Sequence, residues 1–149
     1  MPQIDSEYIK TGKLKYVARD FPLEAIHKDA FKAAEAAHCA GDQGQYWEMH
    51  TRLFANQRAL GTKDLPQHAQ ALGLNVPKFQ QCLDSGKHAA RIRKDIAEVQ
   101  KAGVTGTPAF FLGVTVPNDP MVKVIRVLKG AQPYTSFKDA IDSLLSSQQ

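Results

Sequence analysis

Hydrophobic spacing changes period several times along the chain, and each change predicts an element. Pro2 to Lys10 reads as a short helix, and Gly12 suits the position just past its end. The period then falls to two. Leu14, Tyr16 and Ala18 alternate with Lys13, Lys15, Val17 and Arg19, which predicts a strand over 14–21 stopped by Pro22. From His27 to Ala40 the chain is rich in alanine, with Phe31, Ala34, Glu35 and His38 at helical spacing and Gly41 as the stop. Asp42 is the expected cap of a second helix, where Tyr46, Met49, Leu53 and Phe54 form an apolar face and Trp47 joins the packing.

Lys63 to Leu72 predicts a third helix, closed by Gly73. Asn75 is placed to cap Val76-Pro77-Lys78-Phe79, with Phe79, Cys82 and Leu83 on one face of that fourth helix. Lys87 to Ala102 predicts a long helix with the stripe Ile92, Ile96 and Val99. Ala109 to Leu112 and Val122 to Leu128 read as strands around a loop, Gly113 to Met121. Gly130 and Pro133 break the second strand. A last helix follows, with Thr135 or Ser136 as its cap, Ser136 and Asp139 as a capping box, and Phe137, Ile141, Leu144 and Leu145 facing inward. The tail 146–149 is expected to fray. A block of helices over about 27–102 thus separates the strand at 14–21 from the strands at 109–128. No repeat or interdomain linker interrupts the pattern.

Composition adds boundaries. At 149 residues, 43% hydrophobic and 23% charged, the chain is read as one globular α/β domain with room for a core. No apolar run approaches a membrane span, and the N-terminus lacks the basic-then-apolar pattern of a signal peptide. The net charge is +4. Its densest cluster, Arg91-Ile92-Arg93-Lys94, has Asp95 and Glu98 close by and no interleaved aromatics, so it reads as a solvated helix face and not a nucleic-acid patch.

Gly103-Val104-Thr105-Gly106-Thr107-Pro108-Ala109-Phe110-Phe111-Leu112 organises the second half. Pro108 cannot donate to a sheet ladder, so it belongs at the first strand position or in a turn, and Thr107-Pro108 is a candidate cis bond. This stretch resembles the cis-proline loop of the DsbA-like thiol–disulfide oxidoreductases. Tyr8-Ile9-Lys10-Thr11-Gly12-Lys13-Leu14, Arg19-Asp20-Phe21-Pro22-Leu23, His38-Cys39-Ala40-Gly41-Asp42-Gln43-Gly44-Gln45-Tyr46-Trp47-Glu48 and Lys129-Gly130-Ala131-Gln132-Pro133-Tyr134 resemble further blocks of that family, in order. The resemblance implies a thioredoxin-like α/β fold of DsbA type with a helical insert. It also implies that Gly106, Thr107 and Pro108 hold an extended peptide or a thiol-bearing substrate by strand addition.

The same resemblance places a first strand and a Cys-x-x-Cys motif ahead of the Tyr8 block, and the chain shows neither. The expectation is therefore a family member truncated at its N-terminus and inactive in dithiol exchange. The alternative is a redox-silent peptide-binding or dimerisation module. Two sheet edges without the first strand between them predict a homodimer. The family is usually periplasmic or exported; the sequence leaves the compartment open.

Other chemistry is thinly represented. Cys39 and Cys82 lie far apart, and neither falls at a helix start, where a thiol would be activated. They read either as buried free thiols or, as some members of the resembled family imply, as a structural disulfide within the helical insert. His27, His38, His50, His68 and His88 show no recognised zinc spacing, so no metal or cofactor is expected. No glycosidase-like acid pair, phosphate loop or nucleophile elbow appears.

Overall fold

Alanine sets the spacing of the helices. In the computed structural model, which describes residues 2–116 and 122–147, α2 (Ala30–Gly41) buries Ala33, Ala36, Ala37 and Ala40. Side chains this small let α3 (Tyr46–Ala55), α4 (Leu65–Ala71), α5 (Val76–Ser85) and α6 (Ala89–Lys101) all pack against α2. Met49, Leu53, Leu65, Ala69, Leu74, Phe79 and Leu83 fill the space between the helices as one core. These helices belong to a unit spanning Arg19–Gly103; Met1–Ala18 and Val104–Gln149 form a second unit.

The helix-end signals act as local chemistry dictates. Asn75 Oδ1 accepts from the Lys78 N–H at 3.0 Å, with Pro77 in the first turn, a cap that contributes about 1 kcal/mol. Gly86 ends α5 at φ 63°, a left-handed conformation that costs glycine nothing. Three expectations here need correction. Asp42 does not cap α3; it follows the end of α2, and Gln45 stands at the N-cap of α3 without a side-chain hydrogen bond. Trp47 and Phe54 are 44% and 66% exposed, because the buried face of α3 is the narrower Met49–Leu53 stripe.

The solvated reading of the α6 face also fails at Asp95, which is buried. Its carboxylate accepts from Arg19 Nη1 at 2.6 Å and from the Asp20 N–H at 3.2 Å. Glu35 is a second buried carboxylate. Lys32 Nζ approaches it to 2.7 Å as an ion pair, though without the geometry of a directed hydrogen bond.

In the other unit, α1 (Pro2–Ile4) runs directly into a π-helical stretch, Asp5–Ile9. Ile4 and Tyr8 pack with Phe137 and Ile141 of α7 (Tyr134–Ser146), flanked by Leu14, Phe110, Leu112 and Leu128. The Tyr8 hydroxyl donates to Asp142 Oδ1 at 2.8 Å. Helix α7 starts at Tyr134, with Pro133 at the N-cap in an extended conformation. The expected Thr135 or Ser136 cap does not form.

The predicted strand over 14–21 is not a strand. Its alternation is present: Leu14, Tyr16, Ala18 and Asp20 are half-buried between exposed neighbours. Period-two burial is a local property, however, whereas a strand is defined by its ladder. Among the described residues the sheet contains only β1 (Ala109–Thr115) and β2 (Val122–Lys129), antiparallel, and 14–21 takes no place in it. The first of these strands runs further than expected, into Gly113–Thr115. Positions 117–121 of the expected loop and 148–149 of the expected frayed tail lie outside the described residues.

A register shift between Leu112 and Gly113 leaves Ile125 as the extra residue, since Leu112 faces Arg126 and Gly113 faces Val124. Gly113 is required there by contact distance. A Cβ would collide with the Lys123 carbonyl oxygen and stand 2.8 Å from Val122 Cγ1. Backbone cannot rotate aside, so Gly113→Ala is expected to destabilise the unit by about 1–3 kcal/mol. Urea titration followed by circular dichroism reads this; an unchanged midpoint would contradict it.

Candidate peptide-binding loop and a disulfide corner

Residues Gly106, Thr107 and Pro108 are exposed at the start of β1, with the Thr107–Pro108 bond cis. The loop is tied at both ends. Val104 is buried on one side, and the Gly130 N–H donates to the Pro108 carbonyl at 2.8 Å on the other. Immediately after it, Ala109 pairs with Lys129, and Phe110 meets the Phe137 ring edge-on at a centroid distance of 4.8 Å. Open space surrounds the position a Cβ would take at Gly106. Among the described residues, the backbone groups of Gly106 and Thr107 have no hydrogen-bond partner. Exposed, unpaired backbone groups on a held loop leading into a strand are what an extended peptide needs for strand addition. Further along the hairpin, away from the loop, β2 exposes four apolar side chains: Val122, Val124, Ile125 and Val127 are each at least 41% exposed.

The helical unit carries a second concentration of chemistry. Cys39 and Cys82 form a disulfide, with Cα atoms 5.9 Å apart, joining α2 to α5. Cys39 is buried and Cys82 half-buried. Against this bond stands Asp42, whose Oδ2 lies 3.5 Å from Cys82 Sγ, accepts from Lys87 Nζ at 2.8 Å and is 3.0 Å from His88 Nε2. Partial burial pushes the Asp42 carboxyl up, but the hydrogen bonds from Lys87 and His88 outweigh it and hold it below the usual carboxylate range. His88 stacks at 5.4 Å on His38, which is 2.6 Å from Asp20 Oδ2. Along α3 runs an aromatic row of Tyr46, His50 and Phe54. Burial among them pulls His50 below the ordinary histidine range, against the opposing pull of Asp20.

Of the histidines weighed in the sequence, the structure brings His88 to the cysteines and leaves His27, His50 and His68 elsewhere. A ring nitrogen of His88 and both sulfurs lie within 4.8 Å of one another. Spacing gave no sign of this, because Asp42 and His88 meet only when α2 and α5–α6 close on each other. His68 has a structural explanation: Arg52 Nε donates to its Nδ1 at 3.0 Å, and its Nε2 lies 2.8 Å from the Ala59 carbonyl.

The helical insert, the hairpin and the loop before β1 define a DsbA-like thioredoxin fold. The chain belongs to the thioredoxin family: the family model described as Thioredoxin matches residues 1–143. Among solved structures it is similar to alpha-DsbA1 of Wolbachia pipientis, with a TM-score of 0.76 and 26% identity, over 98% of this chain and 75% of that one. Among curated proteins it is 42% identical over 99 residues to Na(+)/H(+) antiporter NhaA 1 of Salinispora arenicola. It is also 37% identical over 111 residues to Na(+)/H(+) antiporter NhaA 3 of Salinispora tropica. These matches take in 66% and 74% of this chain but only 15% and 17% of the relatives, so the chain spans a small fraction of their length. No helix among the described residues is long and apolar enough to cross a membrane.

Proposed function

We propose that these residues are the peptide-holding part of a DsbA-like thiol–disulfide oxidoreductase, and that the 149 residues alone do not exchange dithiols. The observation that carries this reading is the exposed Gly106-Thr107-Pro108 loop, its backbone unpaired among the described residues, on a DsbA-like frame. Gly106 and Thr107 would offer backbone hydrogen bonds to an extended peptide, and Pro108 would fix where the strand begins. The two cysteines are 43 positions apart and joined to each other, with neither at a helix N-terminus, where a thiolate is stabilised. Segments similar to this one occur inside chains named as Na(+)/H(+) antiporters, which supports reading it as a portable domain.

The test is insulin reduction by dithiothreitol, followed by turbidity. The expected rate with this chain equals the rate without it; a tenfold acceleration would overturn the claim of inactivity.

One observation favours a second reading, the dimerisation module. The exposed row Val122, Val124, Ile125 and Val127, with Phe111 at 43%, is an apolar strand surface of the kind that pairs with another chain. A homodimer predicts a mass near twice 16.4 kDa by light scattering, which Val124→Lys should return to 16.4 kDa. A monomer at high concentration would remove this reading and leave the first intact.

A further inference from the structure

The corner between the C-terminal end of α2 and the α5–α6 turn holds donors that the peptide-holding role does not use. Cys39, Cys82 and His88 present two sulfurs and a ring nitrogen within 4.8 Å of one another. Tetrahedral zinc, with Zn–S about 2.3 Å and Zn–N about 2.0 Å, holds such atoms roughly 3.5–3.8 Å apart. Cysteine Cα atoms 5.9 Å apart, on helices that keep their packing, allow that separation by side-chain rotation once the sulfurs are no longer bonded. A carboxylate already stands at the imidazole: Asp42 Oδ2 is 3.0 Å from His88 Nε2. With Nε2 turned to Asp42, Nδ1 is the nitrogen left to ligate, and such a partner on the other nitrogen orients a ligating histidine and raises its basicity.

We infer that the Cys39–Cys82 disulfide is the oxidised form of a zinc site, with Cys39, Cys82 and His88 as ligands and Asp42 as the carboxylate that orients His88. The chemistry balances with a dithiol as reductant. The dithiol gives two electrons and closes to a cyclic disulfide, the Cys39–Cys82 bond breaks, and its two protons pass to the freed sulfurs. Zinc binding then releases both protons as the thiolates coordinate. The protein supplies three ligands, and solvent takes the fourth position, reached from the half-buried Cys82 side.

Charge supports both states. In the oxidised form Asp42 is balanced by Lys87, 2.8 Å away. In the zinc form two thiolates, Asp42, Lys87 and the metal again sum to zero. The zinc form thus leaves no net charge among these five groups, where an uncompensated one would be costly at a partly buried corner.

The test uses the whole chain, reduced, desalted without oxygen and titrated with Zn²⁺ or Co²⁺. Native mass spectrometry should show one zinc per reduced chain and none on the disulfide form. Cobalt should give thiolate charge-transfer absorption together with the visible bands of a tetrahedral site. His88→Ala should weaken binding at least tenfold, and Asp42→Asn about 10–100-fold, as loss of an orienting partner does. Should reduction cost helical circular dichroism, zinc is expected to restore it. Absence of zinc from the reduced chain, failure of zinc to restore lost helix, or unchanged affinity in His88→Ala would each overturn the assignment.

Discussion

Replacing both cysteines, Cys39→Ala with Cys82→Ala, is expected to lower the stability of the helical unit by about 4 kcal/mol. The bond closes a loop across a sequence separation of 43 residues, and the chain-entropy argument assigns about that much to a loop of this length. Alanine is the useful replacement, since Cys39 is 1% exposed and a serine hydroxyl there would add its own burial cost. For a chain of this size the loss corresponds to a fall in melting temperature of roughly 8–16 °C. Calorimetry of the oxidised protein and the double variant measures it. A difference below about 1 kcal/mol would mean that the helices are held by packing alone.

Phe79→Ala should have an effect of similar size by a different route. Phe79 is fully buried in the core shared by α2, α3, α4 and α5. Truncating it removes apolar burial and leaves a cavity that the alanine-rich face of α2 has no bulk to fill, a loss of about 3–5 kcal/mol. Phe79 precedes Cys82 by one helical turn on α5, so the two positions hold the same helix against the core. Their effects should not add, because with the bridge gone α5 can recede from the site and relax the cavity. Urea unfolding of the Phe79 variant, with and without the disulfide, measures both numbers; a loss under 1 kcal/mol would contradict the placement of Phe79 at the centre of the core.

What the sequence disclosed, and what it hid, divides along the range of the interaction involved. Asn75 before Val76-Pro77 announces a helix start through a hydrogen bond three residues long, and the structure makes that bond. The buried Met49–Leu53 and Phe79–Leu83 pairs follow from helical spacing in the same way. Residues 14–21 carry a true period of two, but pairing depends on a partner distant in sequence, so alternation gave burial without a ladder. Asp42 looked like a cap because its type and position fit one. Its side chain instead turns to Lys87 and His88, 45 and 46 residues away, an attraction that no local pattern contains. Asp95 was concealed by a basic neighbourhood that suggested solvent, while its partner, Arg19, lies 76 residues upstream. The loop Gly106-Thr107-Pro108 was legible because its residue types are confined by backbone chemistry; its unpaired backbone groups became visible only with the hairpin around them.

The claim that this loop holds peptide is tested most directly by titrating the ¹⁵N-labelled protein with a short extended peptide whose cysteine is alkylated, so that no thiol chemistry intervenes. Backbone amide shifts are expected at Gly106, Thr107, Ala109 and Phe111, saturating together, while the amides of α3 and α4 stay in place. Shifts confined to the helical unit, or none at millimolar peptide, would contradict the account.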